Sequence, residues 1–476
     1  MYQVYSVAEI RRAEEATGDL LASGELMQRA AAGLADVVLA ELGGGPGDAD
    51  AGRGQPRGRS VLLAVGAGNN GGDALWAGAR LARHGVQVWA WRTADTVHPE
   101  GWAALEAAGG READAIGALG LLADVDLVVD GVLGIGGRGG LRGPVATFAQ
   151  ACADTATRVV AVDLPSGLEG DSCRLLPSFE AAVTVTFGGR KACQVLQPAA
   201  SRCGRLEVVD IGLELGEPLL TGWHASDVVA HYPWPDATSD KYARGAVGVD
   251  TGSAHYPGAA VLSTMGAVYG GAGFVRYLGP ARDAVVAALP NVVTVPGRVQ
   301  AWLVGCGWGR RDDGPEALTD RLNTGVPLVV DAEAIGLLGG EPVGDGVLLT
   351  PHAGELAALL GVERAAVADD PLTFVRTAAA EIGATVLLKG ATQYVAEPSG
   401  RVTLAVGGPP WTAQAGSGDT LAGLCAAMLA AGRTPRLAAL LGASLQAIAA
   451  RNAPGPRPPQ DLVRHVADVL PALRGY

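Results

Sequence analysis

Nothing in the sequence gathers positive charge. Its 36 lysines and arginines are outnumbered by 49 aspartates and glutamates, for a formal net charge of −13, and no dense basic run breaks that balance. The electrostatic footprint of a nucleic-acid binder is therefore missing, as is a handle for an anionic membrane surface. Long apolar runs are missing too. The longest, around Leu421 to Gly432, is too short for a bilayer, which takes about 20 residues. The opening MYQVYSVAEIRRAEEATG has no basic segment leading into an apolar stretch, so no signal peptide is expected. The six cysteines, Cys152, Cys173, Cys193, Cys203, Cys306 and Cys425, form no CxxC pair. They read as reduced thiols of a cytoplasmic protein, and neither a disulfide frame nor a zinc site is expected. No G-x-x-x-x-G-K-[ST] run occurs, which excludes a P-loop enzyme.

What is present is the material of packed cores: 49% hydrophobic residues against 18% charged ones, with only 5% aromatic. A chain of 476 residues favours two domains. Residues 7–42 read as helices, and the Gly-, Pro- and Asp-rich segment 43–59 reads as a mobile loop. From Ser60 onward short β-rich runs alternate with helical ones: SVLLAVG, VQVWAWR, VDLVVDGVLG, RVVAVDLPSG, AAVTVTFGG and RLEVVDIG. These strands are continuous apolar runs, as expected of a parallel sheet covered on both faces. After a Pro-containing stretch over 213–240 a second series begins: GAVGVDTG, FVRYLG, NVVTVP, AWLVGCG, PLVVDAE, GVLLTPH, ATVLLKG, YVAEP and RVTLAV, with three helices after it. The expectation is an α/β chain of two three-layer αβα domains, residues 1–221, which are Rossmann-like, and residues 222–476.

The first chemical signal is GAGNNGGD, residues 66–73, between a strand and a helix. Gly66, Gly68 and Gly71 satisfy G-x-G-x-x-G, but the second strand ends in Arg92 where a dinucleotide-binding turn has an acid. Asn69, Asn70 and Asp73 also add side-chain donors and acceptors. A plain strand-to-helix turn capped by Asp73 is the structural alternative. Asp130, Asp163 with Ser166 beside it, and Lys191 follow further strands, and ligands of open α/β sheets bind beyond the carboxyl ends of strands.

Together GAGNNGGD, DGVLG…LRGP, VDLPSGL and TVTFGGRK resemble the motifs of the NAD(P)H-hydrate epimerase family over about residues 7–215. The resemblance implies that Asn69, Asn70, Gly71, Gly72 and Asp73, the loop Gly134, Ile135, Gly136, Gly137, Arg138, Gly139 and Gly140, and Lys191 hold a hydrated nicotinamide nucleotide. Asp163 would contact it and act as acid and base, and Asn70, Asp130 and Ser166 would bind potassium. The chain departs from the usual pattern at Ala74, where Gly follows NNGGD, in the Gly-rich GIGGRGG loop, and at MQRAA.

The second signal is GSGD, residues 416–419, opening an apolar helix. Free N–H groups there favour an anion, and Asp419 stands beside it, either as a base or as a simple N-cap. His352 is either a helix cap or a ligand contact, and Thr350 is a second possible cap. GSGD resembles the ribokinase-like superfamily. SDKYARGAVGVDTGS, GGAGFV, GCGWG, VVDAEAI, LTPHAGEL, LLKGATQ and GSGDTLAG narrow the resemblance to ADP/ATP-dependent NAD(P)H-hydrate dehydratases over about residues 238–450. It implies that Lys389, Gly390, Ala391, Thr392, Gln393, Gly416, Ser417 and Gly418 hold ADP with Mg2+. Ala260, Gly307, His352 and Asp419 would face the hydrated cofactor. GCGWG stands for the usual GPGLG, bringing in Cys306 and Trp308, and GATQ ends in Gln393 in place of Thr.

The implied chemistry is epimerisation of R and S NADHX or NADPHX in the first half. In the second, the S form is dehydrated by phosphorylating its C6 hydroxyl from ADP and eliminating phosphate, with Asp419 as base. No nucleic acid or membrane partner is expected, and a homo-oligomer is. Three rival readings remain: a small-molecule kinase releasing a stable phosphate ester, a catalytically silent first domain, and a dehydrogenase.

Overall fold

The computed structural model describes residues 1–43 and 58–475. Most of the loop expected over 43–59 lies outside the described residues. Two compact units form, one of residues 3–219 and one of residues 1–2 with 220–476.

In the first unit, helices α1 (Val7–Ala16) and α2 (Glu25–Gly43) precede β1 (Ser60–Val65), α3 (Asn69–Arg83), β2 (Gln87–Arg92), β3 (Arg111–Ala113), β4 (Leu127–Gly131), α4 (Gly143–Asp154), β5 (Val159–Val162), β6 (Val183–Phe187) and β7 (Arg205–Val209). Ser6 starts α1, its Oγ accepting from the Glu9 N–H at 3.1 Å. The strands pair in parallel in the order β3-β2-β1-β4-β5-β6-β7. Alternate residues of β1 feed opposite faces. Val61, Leu63 and Val65 pack with Leu34 and Val38 of α2. Leu62 and Ala64 pack with Phe148 of α4 and Phe179. That is a sheet covered on both sides, and it explains the unbroken apolar strands. Strand order reverses between β1 and β4, so the ends of those two strands flank the cleft where such sheets take ligands. GAGNNGGD leaves one of them and Asp130 ends the other. The sequence reading missed β3 and the parallel pairing of Val4 and Tyr5 with Arg190 and Lys191, which anchors the Lys191 segment.

The second unit contains β8 (Leu220–Gly222), β9 (Ala246–Asp250), α5 (Pro257–Tyr269), β10 (Phe274–Tyr277), β11 (Ala301–Val304), β12 (Leu328–Val330), β13 (Val347–Leu349), α6 (Ala353–Leu360), β14 (Thr385–Leu388), β15 (Tyr394–Ala396), β16 (Val402–Leu404), α7 (Ser417–Ala430), α8 (Pro435–Asn452) and α9 (Pro459–Arg474). Its strands run β10-β9-β11-β12-β13-β14-β15-β16-β8. They are parallel from β10 to β14, and β15 is antiparallel to both its neighbours. The switch point lies between β9 and β11. One expectation is corrected. NVVTVP is not a strand, and only Val293 bridges to Arg276. Pro290 and Pro296 close that run at both ends, and a proline offers no N–H to extend a ladder. The Pro-containing stretch 213–240, in which the domain boundary was expected, contains β8 and a short helix, Ala225–His231.

All six cysteines are free and buried. No helix among the described residues is long and apolar enough to cross a membrane. Helix α7 lies against α5 at glycine: a Cβ on Gly423 would stand 2.1 Å from the Ser263 carbonyl oxygen. Gly423→Ala should therefore force the two helices apart and destabilise the second unit by about 1–3 kcal/mol. Urea unfolding with an unchanged midpoint for that unit would contradict this packing.

Candidate active sites

Each site is assembled by backbone turns that tolerate no side chain. In the first, a Cβ on Gly66 would meet the Val132 carbonyl oxygen at 2.0 Å, and one on Gly71 would meet the Gly66 carbonyl oxygen at 2.1 Å. Glycine at both positions lets the first turn of α3 settle onto the ends of β1 and β4. The N-cap is Gly68 and not Asp73, which lies inside the helix and is buried. The capping alternative is thereby removed. Asn70 Nδ2 donates to the Val162 carbonyl at 3.0 Å. Its Oδ1 faces Gly134, where a Cβ would come within 2.8 Å of it and within 3.2 Å of Asp163 Oδ2. Asn70, Gly134 and Asp163 therefore meet at one point.

Asp163 has φ +66°, the left-handed region that a non-glycine residue enters at a cost. The strain is held from several sides. Its N–H donates to the Val185 carbonyl at 2.7 Å, and its own carbonyl accepts from Gln194 Nε2 at 2.6 Å. Its carboxylate accepts from Lys191 Nζ at 2.6 Å, Thr186 Oγ1 at 3.3 Å and the Ile135 N–H at 3.2 Å. Lys191 is 1% exposed. Its ammonium also donates to Thr186 Oγ1 at 2.8 Å and the Phe187 carbonyl at 3.0 Å, so its three donors are used inside the protein. The structure places Lys191 behind Asp163, with no donor left for a ligand.

Asp130 is fully buried. It accepts from the Ser166 N–H at 2.7 Å, Ser166 Oγ at 2.6 Å and the Val132 N–H at 3.3 Å. Burial pushes its carboxyl up to about 7, against the pull of those donors. Of the loop 134–140, Gly136, Arg138 and Gly139 are exposed and Gly137 is buried, while Asn69 is exposed at the start of α3. Sequence reading missed Glu14, Thr186 and Gln194. Glu14, half-buried on α1, is raised by burial and by the charge of Asp163. Nothing in a single sequence marks it out.

In the second unit Gly416, at φ +87°, is the N-cap of α7, and Asp419 lies in its first turn, which removes the simple-cap alternative. The first intrahelical bond is Thr420 N–H to the Gly416 carbonyl at 3.2 Å. The Gly418 and Asp419 N–H groups thus point out of the helix end without intrahelical acceptors. A Cβ on Gly418 would lie 3.2 Å from Lys389 Nζ. Lys389 pairs with Asp331 Oδ1 at 2.7 Å, and Asp331, buried, also accepts from Thr350 Oγ1 at 2.7 Å and the Cys306 thiol at 3.2 Å. Burial works against the Lys389 charge, but Asp331 and Glu355 outweigh it and raise its pKa. Asp419, Cys306 and Asp331 bring ligand atoms within 4.8 Å of one another. Burial and then the Asp331 charge push the Asp419 carboxyl up to about 7. Asp331 was missed as a site residue, although VVD ends in an acid just as the strands before Asp130 and Asp163 do.

Ala260 is buried against Gly252, where a Cβ would stand 2.6 Å from it, while Gly307 packs on its neighbour Ala259, where a Cβ would stand 2.5 Å away. His352 caps α6, its Nδ1 accepting from the Gly354 and Glu355 N–H groups at 3.0 Å each. It is tied to Lys389 by a backbone bridge. Gly390 and Ala391 are exposed beyond β14, and Gln393 has a buried Oε1 with no hydrogen-bond donor. Only three non-glycine residues among those described have positive φ: Ala156, Asp163 and Ala332. Asp163 belongs to one site, and Ala332 follows Asp331 in the other, where strained backbone is often found.

Two α/β units, each presenting buried carboxylates and a lysine beyond the carboxyl ends of its parallel strands, define a two-site enzyme. Residues 23–193 match the family model described as the YjeF-related protein N-terminus, and residues 247–471 match that described as NAD(P)H-hydrate dehydratase. The bifunctional NAD(P)H-hydrate repair enzyme of Mycobacterium tuberculosis is 43% identical over 91% of this chain and 90% of its own length. That of Mycobacterium leprae is 41% identical over 99% and 100%. A solved ADP/ATP-dependent NAD(P)H-hydrate dehydratase from Bacillus subtilis aligns with 53% of this chain and 97% of its own, at 26% identity and a TM-score of 0.48. The chain belongs to the bifunctional NAD(P)H-hydrate repair enzyme family.

Removing the ammonium behind Asp163 leaves a buried carboxylate without its cation. Lys191→Met should therefore cost the first unit about 3–5 kcal/mol of stability at neutral pH. Chemical denaturation showing no loss would mean that the pair is not buried as described.

Proposed function

We propose that the chain repairs hydrated nicotinamide cofactors at two sites. Residues 1–221 interconvert the R and S forms of NADHX or NADPHX, and residues 222–476 dehydrate the S form at the expense of ADP. The observation that supports this best is the pairing of two separate carboxylate sites, each beyond the carboxyl ends of the parallel strands of its own sheet, with two family matches that fall one on each unit.

In the first site Asp163 serves as acid and base toward the C6 hydroxyl, held in place by Lys191 and Gln194. Asn69 to Asp73 and the loop 134–140 bind the nucleotide. A hard monovalent cation suits the oxygen set of Asn70, Asp130 and Ser166, because Asp130 is a buried carboxylate met only by neutral donors. Potassium held there would supply positive charge beside the substrate.

In the second site the nucleotide phosphates lie at the start of α7. There the Gly418 and Asp419 N–H groups and Lys389 meet the charge that moves with the phosphoryl group. Gly390 to Gln393, Gly416 and Ser417 complete that pocket. The orphaned Gln393 Oε1 suits a donor such as the adenine amino group. Magnesium accompanies the phosphates. Ala260, Gly307 and His352 face the hydrated ring. Asp419, once ionised, takes the proton of the C6 hydroxyl as its oxygen attacks the terminal phosphoryl group. Loss of phosphate then restores the dihydropyridine. A cytoplasmic homo-oligomer completes the reading.

Asp419→Asn should cut dehydration by roughly 10²–10⁴-fold and spare epimerisation, and Asp163→Asn should do the reverse. Both variants keeping both activities would remove these assignments. A phosphate ester accumulating in place of reduced cofactor would favour a simple kinase. Asp419 accepts a proton only when ionised, and its pKa is pushed up to about 7. Dehydration should therefore fall as pH drops through about 7. Asp331→Asn removes the neighbouring negative charge and should move that limb to lower pH, and a limb that stays in place would assign the base elsewhere.

A further inference from the structure

Asp73 has only a binding part, and no chemical one, in the single-carboxylate account of the first site. It lies one helical turn after Asn70 on α3, it is 8% exposed, and among the described residues its carboxyl makes no hydrogen bond. Asp163 differs in every respect: an ammonium, a hydroxyl and a backbone N–H all donate to its carboxylate. A buried carboxyl without donors is cheapest neutral, whereas one beside an ammonium is cheapest charged. The charged groups facing Asp73 reinforce the contrast. They are Glu14 from α1 and Asp163 from the end of β5, both negative when ionised, while Lys191 is taken up by Asp163. His98 approaches from the side of Gly72. Burial first, then those two negative charges, push the Asp73 carboxyl well above the usual range. Two carboxyls in one site, one buried without donors and the other held by an ammonium, are the equipment of an acid–base pair.

We propose that Asp73 is the general acid of the epimerase site and works against Asp163 as general base, the two acting on opposite faces of the hydrated ring. The proposal rests on the epimerase reading. Asp73 gives its proton to the C6 hydroxyl and the C6–O bond breaks. Water leaves, and the ring nitrogen lone pair delocalises into the cationic C6. A water molecule then attacks the other face, forming the new C6–O bond and giving its proton to Asp163. One water leaves and one enters, no redox step occurs, and one proton has passed from Asp73 to Asp163. The reverse epimerisation runs with the roles exchanged. Glu14, half-exposed and electrostatically coupled to both carboxyls, offers the route by which solvent resets the protons.

The test is epimerisation of the pure R form by the full chain in ¹⁸O-labelled water, followed by mass spectrometry and by rate against pH. Wild-type enzyme should place one solvent oxygen at C6 per inversion and lose rate at alkaline pH as the acid deprotonates. Asp73→Asn should lower kcat by roughly 10²–10⁴-fold with little change in KM and abolish the alkaline limb. Retained kcat, or a change in KM alone, overturns the proposal and leaves Asp73 a binding residue. Should Asp73→Asn fail to fold, Asp73→Glu decides. A displaced alkaline limb supports the acid role, and an unmoved limb assigns it to another group. Wild-type epimerisation without ¹⁸O uptake would instead overturn C6–O cleavage itself, so the two failures are separable.

Discussion

A lysine ammonium buried 2.6 Å from an aspartate that ends a strand is a costly arrangement, since both charges have left water. A partly exposed version of it recurs in the second unit. Lys191 pairs with Asp163 in the first unit, and Lys389 pairs with Asp331, at 2.7 Å, in the second. In each case a further carboxyl stands nearby without a cation of its own, Asp73 in one and Asp419 in the other, and burial raises both. Each site thus pairs one carboxylate with an ammonium and leaves a neighbouring carboxyl raised by burial. Chemistry that moves protons to and from a hydroxyl needs that division. The strained backbone at Asp163 and Ala332 adds to the cost, and the covered sheets around them carry it.

Both sheets place these groups by the same topological rule. Parallel strands buried on two faces need continuous apolar runs, so polar residues are displaced to the strand ends, and reversal of strand order opens a cleft there. The α/β class and most strands were therefore legible as apolar runs, many of them closed by Gly or Asp. NVVTVP had the composition of a strand but lay between prolines that deny it a ladder. The strand Arg111–Ala113 was invisible because it is short, polar and at the sheet edge. Asp130, Asp163 and Asp419 could be singled out from their positions after strands or in a glycine turn. The burial of Lys191 could not, because it depends on pairing between Val4–Tyr5 and Arg190–Lys191, residues far apart in sequence. Glu14 was hidden for the same reason: a helical glutamate reads as a solvated face until the fold turns it toward Asp163.

The departures from the family pattern acquire physical content. Cys306, where proline is usual, donates its thiol to Asp331, and burial raises that thiol far above its ordinary range, so it acts as a neutral donor within the carboxylate cluster. Trp308 is buried, with its indole N–H on the Asp250 carbonyl at 2.8 Å and the Arg311 guanidinium over its ring, and so stiffens the GCGWG turn. Gln393 brings in an amide whose oxygen is buried and has no hydrogen-bond partner. None of these changes disturbs the lysine–aspartate pair at the centre of the second site.

One chain that carries two complementary activities should complete the repair by itself. The most direct measurement gives the purified protein a mixture of R and S NADHX with ADP, magnesium and potassium, and follows the return of reduced-nicotinamide absorbance. Recovery that proceeds past the S fraction, faster than the mixture epimerises unaided and only when ADP is present, is the predicted result. Recovery that stops at the S fraction, or fails with both ADP and ATP, would contradict it.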